Sequence, residues 1–181
     1  MSRTWFAFLP NLISLARLLL APLSVYMIAE RRWPEALAIF VIAGLSDALD
    51  GWIARRFDLR SELGAYLDAI ADKALLVCNY IALAVIGRIP LYLALLVVTR
   101  DLMIVGAVML CWVMGKPMLI SPHILSKANT AAQIAFVVAL LGALAFGVPT
   151  PWFTAGVWLV AALTLASLAA YFRRWVAHVT A

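Results

Sequence analysis

The stretch Lys127-Ala128-Asn129-Thr130-Ala131-Ala132-Gln133-Ile134-Ala135-Phe136-Val137-Val138-Ala139-Leu140-Leu141-Gly142-Ala143-Leu144-Ala145-Phe146 runs directly into Gly147-Val148-Pro149-Thr150-Pro151. The run has the roughly 20 residues that a helix needs to cross the hydrocarbon of a bilayer. The Gly/Pro segment leaves room for only a tight connection before the next apolar run, Pro151–Phe172. Two long apolar helices joined so closely are expected to run antiparallel. The same pattern extends toward the N-terminus, with spans expected at Leu12–Ala29, Pro34–Arg56, Glu62–Ile86 and Leu91–Met114. A short amphipathic interfacial stretch is expected before them, over Ser2–Leu9. The expected class is therefore an all-α integral membrane protein with six transmembrane helices, residues 1–181 forming one membrane domain.

Composition supports this reading. Hydrophobic residues make up 66% of the 181 positions, charged residues 13%, and the mean hydropathy is +1.03. A soluble domain of this size is not usually so apolar. Pro34, Pro90 and Pro151 stand where a helix can begin, because the first-turn amide has no intrahelical acceptor to lose. Arg3 before an apolar run resembles an export signal, but Pro10, Asn11, Ser14 and Arg17 interrupt that run and further spans follow, so a retained helix is expected. Cys78 and Cys111 both fall in apolar segments, as small buried hydrophobes do, and imply no disulfide framework.

The net charge of +5 would suggest nucleic acid in a soluble chain. In a membrane chain it sets topology instead. With six spans and the N-terminus inside, Arg3, Arg55, Arg56, Arg60, Lys116, Lys127, Arg173 and Arg174 fall on the inner side, against Arg31, Arg32 and Arg88 outside. This positive-inside bias favours cytoplasmic termini, in a bacterial inner membrane, with the Arg55–Glu62 connection facing the cytoplasm. Membrane lipids are the expected surroundings, a homodimer is compatible with them, and no nucleic-acid partner is expected.

The chemistry lies in Ser46-Asp47-Ala48-Leu49-Asp50-Gly51-Trp52-Ile53-Ala54-Arg55, followed by Gly64, Asp68 and Asp72. On helices, Asp47 and Asp50 are three apart and Gly64, Asp68 and Asp72 four apart in series, so each helix presents two carboxylates on one face. An Asp at the centre of a span costs about 2.5–3.5 kcal/mol on insertion scales. Four of them need compensation. An all-oxygen site for Mg²⁺ or Mn²⁺ supplies it, and two divalent ions balance four aspartates. Two other readings of the same residues stay open. One is a buried ion-pair network with Arg55, Arg56, Lys73 and Arg100; the other is the proton or cation pathway of a polytopic ion-coupled transporter. Gly51, Ala54 and Gly64 leave clearance for a flat or bulky group, though small residues also permit ordinary close helix packing.

These residues resemble the CDP-alcohol phosphatidyltransferase signature in identity and spacing: Asp47, two residues, Asp50-Gly51, two residues, Ala54-Arg55, eight residues, Gly64, three residues, Asp68, three residues, Asp72. The resemblance implies that Asp47, Asp50 and Asp68 hold one metal, with Asp47, Asp68 and Asp72 near a second. It implies that Gly51, Ala54 and Gly64 accommodate cytidine, that Asp47 and Arg55 face the CDP-lipid, with Arg55 at its diphosphate, and that Asp72 acts as the base. The chain departs from the family at Ala69, where a proline is frequent, and the change should alter local bending more than ligand identity. His123 and His178 are expected at the surface rather than in catalysis.

At the start of the chain, Pro10 through Arg17 resembles the first-helix pattern of bacterial phosphatidylglycerophosphate synthases and their cardiolipin-forming relatives, with Asn11 expected to cap the first helix. Farther along, Thr99 through Ile104 and Ser126 through Gln133 are similar to cardiolipin synthases of mitochondrial type, with Asp101 and Asn129 where phosphatidylglycerophosphate synthases tend to have Glu and Lys. The resemblance thus implies transfer of a phosphatidyl group from CDP-diacylglycerol to phosphatidylglycerol, with glycerol 3-phosphate as the alternative acceptor. Either acceptor is anionic. Arg100, Lys127 and Arg17 are the residues expected to meet its phosphate.

Overall fold

A computed structural model describes residues 3–57, 62–113, 124–151 and 153–180, with side chains described for a subset of them. Six helices follow in order: α1 (Arg3–Ala29), α2 (Trp33–Phe57), α3 (Glu62–Val85), α4 (Leu91–Val113), α5 (Ile124–Phe146) and α6 (Phe153–Thr180). All six expected helices are present.

Their ends follow local chemistry. Gly87 and Gly147 adopt positive φ (73° and 66°) just past α3 and α5. The amide of Arg88 donates to the carbonyl of Leu83, and that of Val148 to Ala143, both at 2.8 Å. These are the long closing bonds that satisfy carbonyls orphaned at a helix end, and glycine adopts the left-handed conformation they need without a Cβ clash. The α1 end closes the same way on Arg31 (φ 58°), with Arg32 N–H donating to Met27 at 2.9 Å and Arg31 N–H to Ile28 at 3.0 Å. Pro34 occupies the first turn of α2, and Pro90 immediately precedes α4.

The largest departures from the expected boundaries lie at the start of α1 and the end of α6. The stretch Ser2–Leu9 is not a separate interfacial element, because α1 runs from Arg3 through Pro10 to Ala29. Proline is tolerated inside a helix surrounded by other helices, where neighbours can compensate the missing donor. Helix α6 continues past Phe172 to Thr180, carrying Arg173 and Arg174 on an exposed final stretch. Apolarity ends at Phe172, but nothing in Arg-Arg-Trp-Val-Ala-His breaks a helix.

The helices form a closed ring. Helix α1 packs on α2 and α3, α3 on α4, α4 on α6, α6 on α5, and α5 on α2, while α3 also touches α2 and α5. Tyr80, Leu83, Leu93, Val97, Val137, Leu141 and Val160 fill the interior. Tyr80 stacks near Phe136 (centroids 6.4 Å), whose ring meets Phe153 edge-on at 5.9 Å. Polar pairs tie helices as well: Ser24 Oγ donates to Asn79 Oδ1 at 2.9 Å, joining α1 to α3, and Asn79 Nδ2 donates to Leu75 O. Such bonds substitute for the hydrophobic drive that is missing between helices in lipid.

The outside is apolar. Leu15, Leu19 and Leu23 on α1, Leu91, Leu95, Leu102 and Val105 on α4, and Trp158, Leu159 and Leu165 on α6 are exposed. So continuous an apolar surface suits hydrocarbon rather than water. Among the described residues, Ile124–Phe146 and Phe153–Val176 are long and apolar enough to cross a membrane by length and composition. The architecture is that of a helical integral-membrane protein.

Candidate active site

Asp47 sits on α2, and its Oδ1 accepts a hydrogen bond from Nη1 of Arg17 on α1 at 2.8 Å. The Arg17 side chain is only 1% exposed, whereas that of Asp47 is 38% exposed. A guanidinium buried this deeply requires a counter-charge, and Asp47 provides it. Arg17, one of the residues expected at an acceptor phosphate, faces inward and engages an acid of the signature. A long side chain snorkels only when its head can reach water, and this one does not.

The α2 backbone carries Asp50, Gly51, Ala54 and Arg55 in helical register with Asp47, and α3 carries Gly64, Asp68 and Asp72. The side chains of these seven residues lie outside the described residues. The packing of α2 on α3 brings the two helices of the signature together, as a shared site requires. Among the described residues there is no group of three His, Cys, Asp or Glu side chains around one point. Asp47 itself fits a hard divalent cation. Its carboxylate is oxygen-only, partly open, and held on one side by a charged donor.

A second polar cluster lies one helix further round the ring. Lys73, the residue after Asp72, donates from Nζ to Oδ1 of Asp101 at 2.8 Å, and Nη1 of Arg100 reaches the same oxygen at 2.5 Å. Arg100 Nη2 donates to Ser126 Oγ at the start of α5 and to Ser167 Oγ on α6 at 3.3 Å. Its guanidinium lies 5.8 Å from the centroid of Tyr171. Four helices, α3 through α6, thus converge on one arginine. Lys127 follows Ser126 on the first turn of α5 and is exposed, so two of the three cations expected at an acceptor phosphate, Arg100 and Lys127, belong to one neighbourhood. Arg100 Nε and Asp101 Oδ2 are buried without a hydrogen-bond partner among the described residues. Of the four cations weighed for an ion-pair network, Arg55, Arg56, Lys73 and Arg100, the two whose side chains are described both meet Asp101.

A third cluster closes the ring behind the second. Thr164 Oγ1 donates to Asn129 Oδ1 at 3.0 Å and accepts from Gln133 Nε2 at 3.2 Å, while Tyr80 Oη donates to the Gln133 carbonyl. Sequence reasoning missed Ser167, Tyr171 and Thr164. Their spacing on α6, three and then four residues, held the signal: polar groups recurring on one face of an apolar helix.

The chain matches the CDP-alcohol phosphatidyltransferase family over residues 7–175 and belongs to it. It is 34% identical over 180 residues to the cardiolipin synthase (CMP-forming) of Rattus norvegicus, an alignment covering 89% of this chain and 59% of that relative. The chloroplastic CDP-diacylglycerol–glycerol-3-phosphate 3-phosphatidyltransferase 1 of Oryza sativa is 34% identical over 190 residues, covering 93% of this chain and 57% of the relative. A putative cardiolipin synthase of Mycobacterium tuberculosis is 34% identical over 136 residues, covering 74% and 64%. The chain spans about three-fifths of the length of the first two relatives.

Proposed function

We propose that the protein transfers a phosphatidyl group from CDP-diacylglycerol to phosphatidylglycerol, forming cardiolipin and CMP. The observation that carries the reading is the signature from Asp47 to Asp72, laid on two helices that pack together, with Asp47 braced by a buried arginine. The likeness to cardiolipin synthases supports the choice of acceptor.

In this proposal Asp47, Asp50, Asp68 and Asp72 would hold two divalent ions, Mg²⁺ or Mn²⁺. Bound there, such ions neutralise phosphate oxygens and fix the donor for in-line displacement. Gly51, Ala54 and Gly64 leave space for the cytidine nucleotide, and Arg55 pairs with its diphosphate. Arg100 and Lys127 orient the acceptor by its phosphate. The acceptor hydroxyl attacks the phosphorus that bears diacylglycerol, the bond from that phosphorus to CMP breaks, and Asp72 takes the hydroxyl proton. For this, Asp72 must keep one oxygen available to the hydroxyl. The lipid acceptor would enter from the membrane with its acyl chains still in hydrocarbon.

Glycerol 3-phosphate is the second reading, supported by the likeness to the rice enzyme. Purified protein should be given CDP-diacylglycerol, Mg²⁺ or Mn²⁺, and each acceptor separately, with CMP and lipid products quantified and Asp50→Asn as the inactive control. Cardiolipin from phosphatidylglycerol alone is the expected result. Phosphatidylglycerophosphate from glycerol 3-phosphate, with none from phosphatidylglycerol, would transfer the assignment to the second reading. Ion movement in liposomes without CMP release would favour a transporter.

A further inference from the structure

Arg17 approaches Asp47 from the protein interior. Its Nη1 engages Oδ1 at 2.8 Å across 30 residues of sequence, and it is almost wholly buried while the carboxylate it holds is partly open. The pair therefore has a closed side and an open side. Breaking an ion pair on a buried guanidinium is unfavourable, so the contact should persist when the open side is occupied.

We infer that Arg17 is a selectivity determinant for the divalent ion: by occupying Oδ1 it leaves Asp47 to bind metal through one oxygen, which disfavours Ca²⁺ relative to Mg²⁺ and Mn²⁺. The inference rests on the proposed role of Asp47 as a metal ligand. Ca²⁺ takes about 6–8 oxygens and readily accepts both oxygens of one carboxylate, whereas Mg²⁺ requires near-octahedral geometry with short single contacts. A carboxylate with one oxygen held by a charged donor suits the second demand. Arg17 also repels any cation, but Mn²⁺ and Ca²⁺ carry the same charge, so this term largely cancels in their affinity ratio. What the ratio retains is geometry.

The test uses the full chain in detergent, with Mn²⁺ as the probe and free Mn²⁺ followed by electron paramagnetic resonance while Ca²⁺ competes. Arg17→Met removes donor and charge; Arg17→Lys keeps the charge but loses the planar fork. Residues that orient metal ligands typically alter affinity by about 10–100-fold, so Arg17→Met should shift the Mn²⁺/Ca²⁺ preference toward Ca²⁺ by about tenfold. Arg17→Lys should shift it less and in the same direction. An unchanged ratio in either folded variant overturns the inference while Asp47 remains a ligand. If the wild-type chain binds no Mn²⁺ that Asp47→Asn abolishes, the metal reading itself fails, and this inference with it.

Discussion

At the residue scale, the two arginines buried among the described residues are both committed to carboxylates, Arg17 to Asp47 and Arg100 to Asp101. Burial forces this, since an unpaired guanidinium inside an apolar bundle is costly. Arg100 still differs from Arg17, because it reaches Ser126 at the start of α5, where the next residue is the exposed Lys127. That arrangement suits an anion held partly by a fixed, buried cation and partly by a mobile one. The proposed division of labour predicts a split in the kinetics. Lys127→Met should raise the KM for the acceptor, leaving that for CDP-diacylglycerol unchanged. Arg55→Met should raise the donor KM whichever alcohol is offered. Loss of one charge-assisted hydrogen bond, about 1.5–3 kcal/mol, corresponds to roughly 10- to 150-fold. Steady-state titration of each substrate checks it, and the opposite split would exchange the two halves of the site.

At the element scale, polar side chains decide how the helices of the ring meet. Thr164 is the hub of one junction, donating to Asn129 and accepting from Gln133, so a single hydroxyl joins α6 to two turns of α5. Thr164→Val keeps the shape and removes both bonds. It should destabilise the protein by about 1 kcal/mol, the scale of polar contacts between membrane helices, and Thr164→Ser should recover most of the loss. Unfolding in mixed micelles measures the difference; equal stability of Val and Thr proteins would show that the helix contact relies on packing alone. Packing is certainly close nearby, because a Cβ built on Gly156 would lie 2.9 Å from the Phe136 ring.

For the whole molecule, direction in the membrane follows from which ends carry the cations. Arg88 lies 5.3 Å from the Trp33 ring, so the start of α2 and the end of α3 share one end of the bundle. Helix alternation then assigns Arg55, Arg56, Lys127, Arg173 and Arg174 to the opposite end, with the end of α2 and the start of α3. The positive-inside rule predicts that this richer end faces the cytoplasm. In a cysteine-free background, Arg88→Cys in intact cells should react with a membrane-impermeant maleimide, while Arg173→Cys should react only after permeabilisation. The reverse pattern would place the site outside, where a cytoplasmic nucleotide-lipid head could not reach it.

Much of this was legible in the sequence. Apolar length and Pro/Gly punctuation specified six helices, since crossing or burial requires long unbroken runs and a proline at a start removes no bond. The signature from Asp47 to Asp72 gave the class of chemistry, because fixed carboxylate spacing on helices is a local property. Partner choice was not local. Nothing in the order of residues says that Arg17 turns toward Asp47, 30 positions away, or that Lys73 and Arg100 meet on one oxygen of Asp101. Those pairings depend on which helices become neighbours in the ring, and that depends on how whole faces pack. Tertiary structure alone placed Arg17 beside a signature acid, because a guanidinium buried in an apolar bundle requires carboxylate partners.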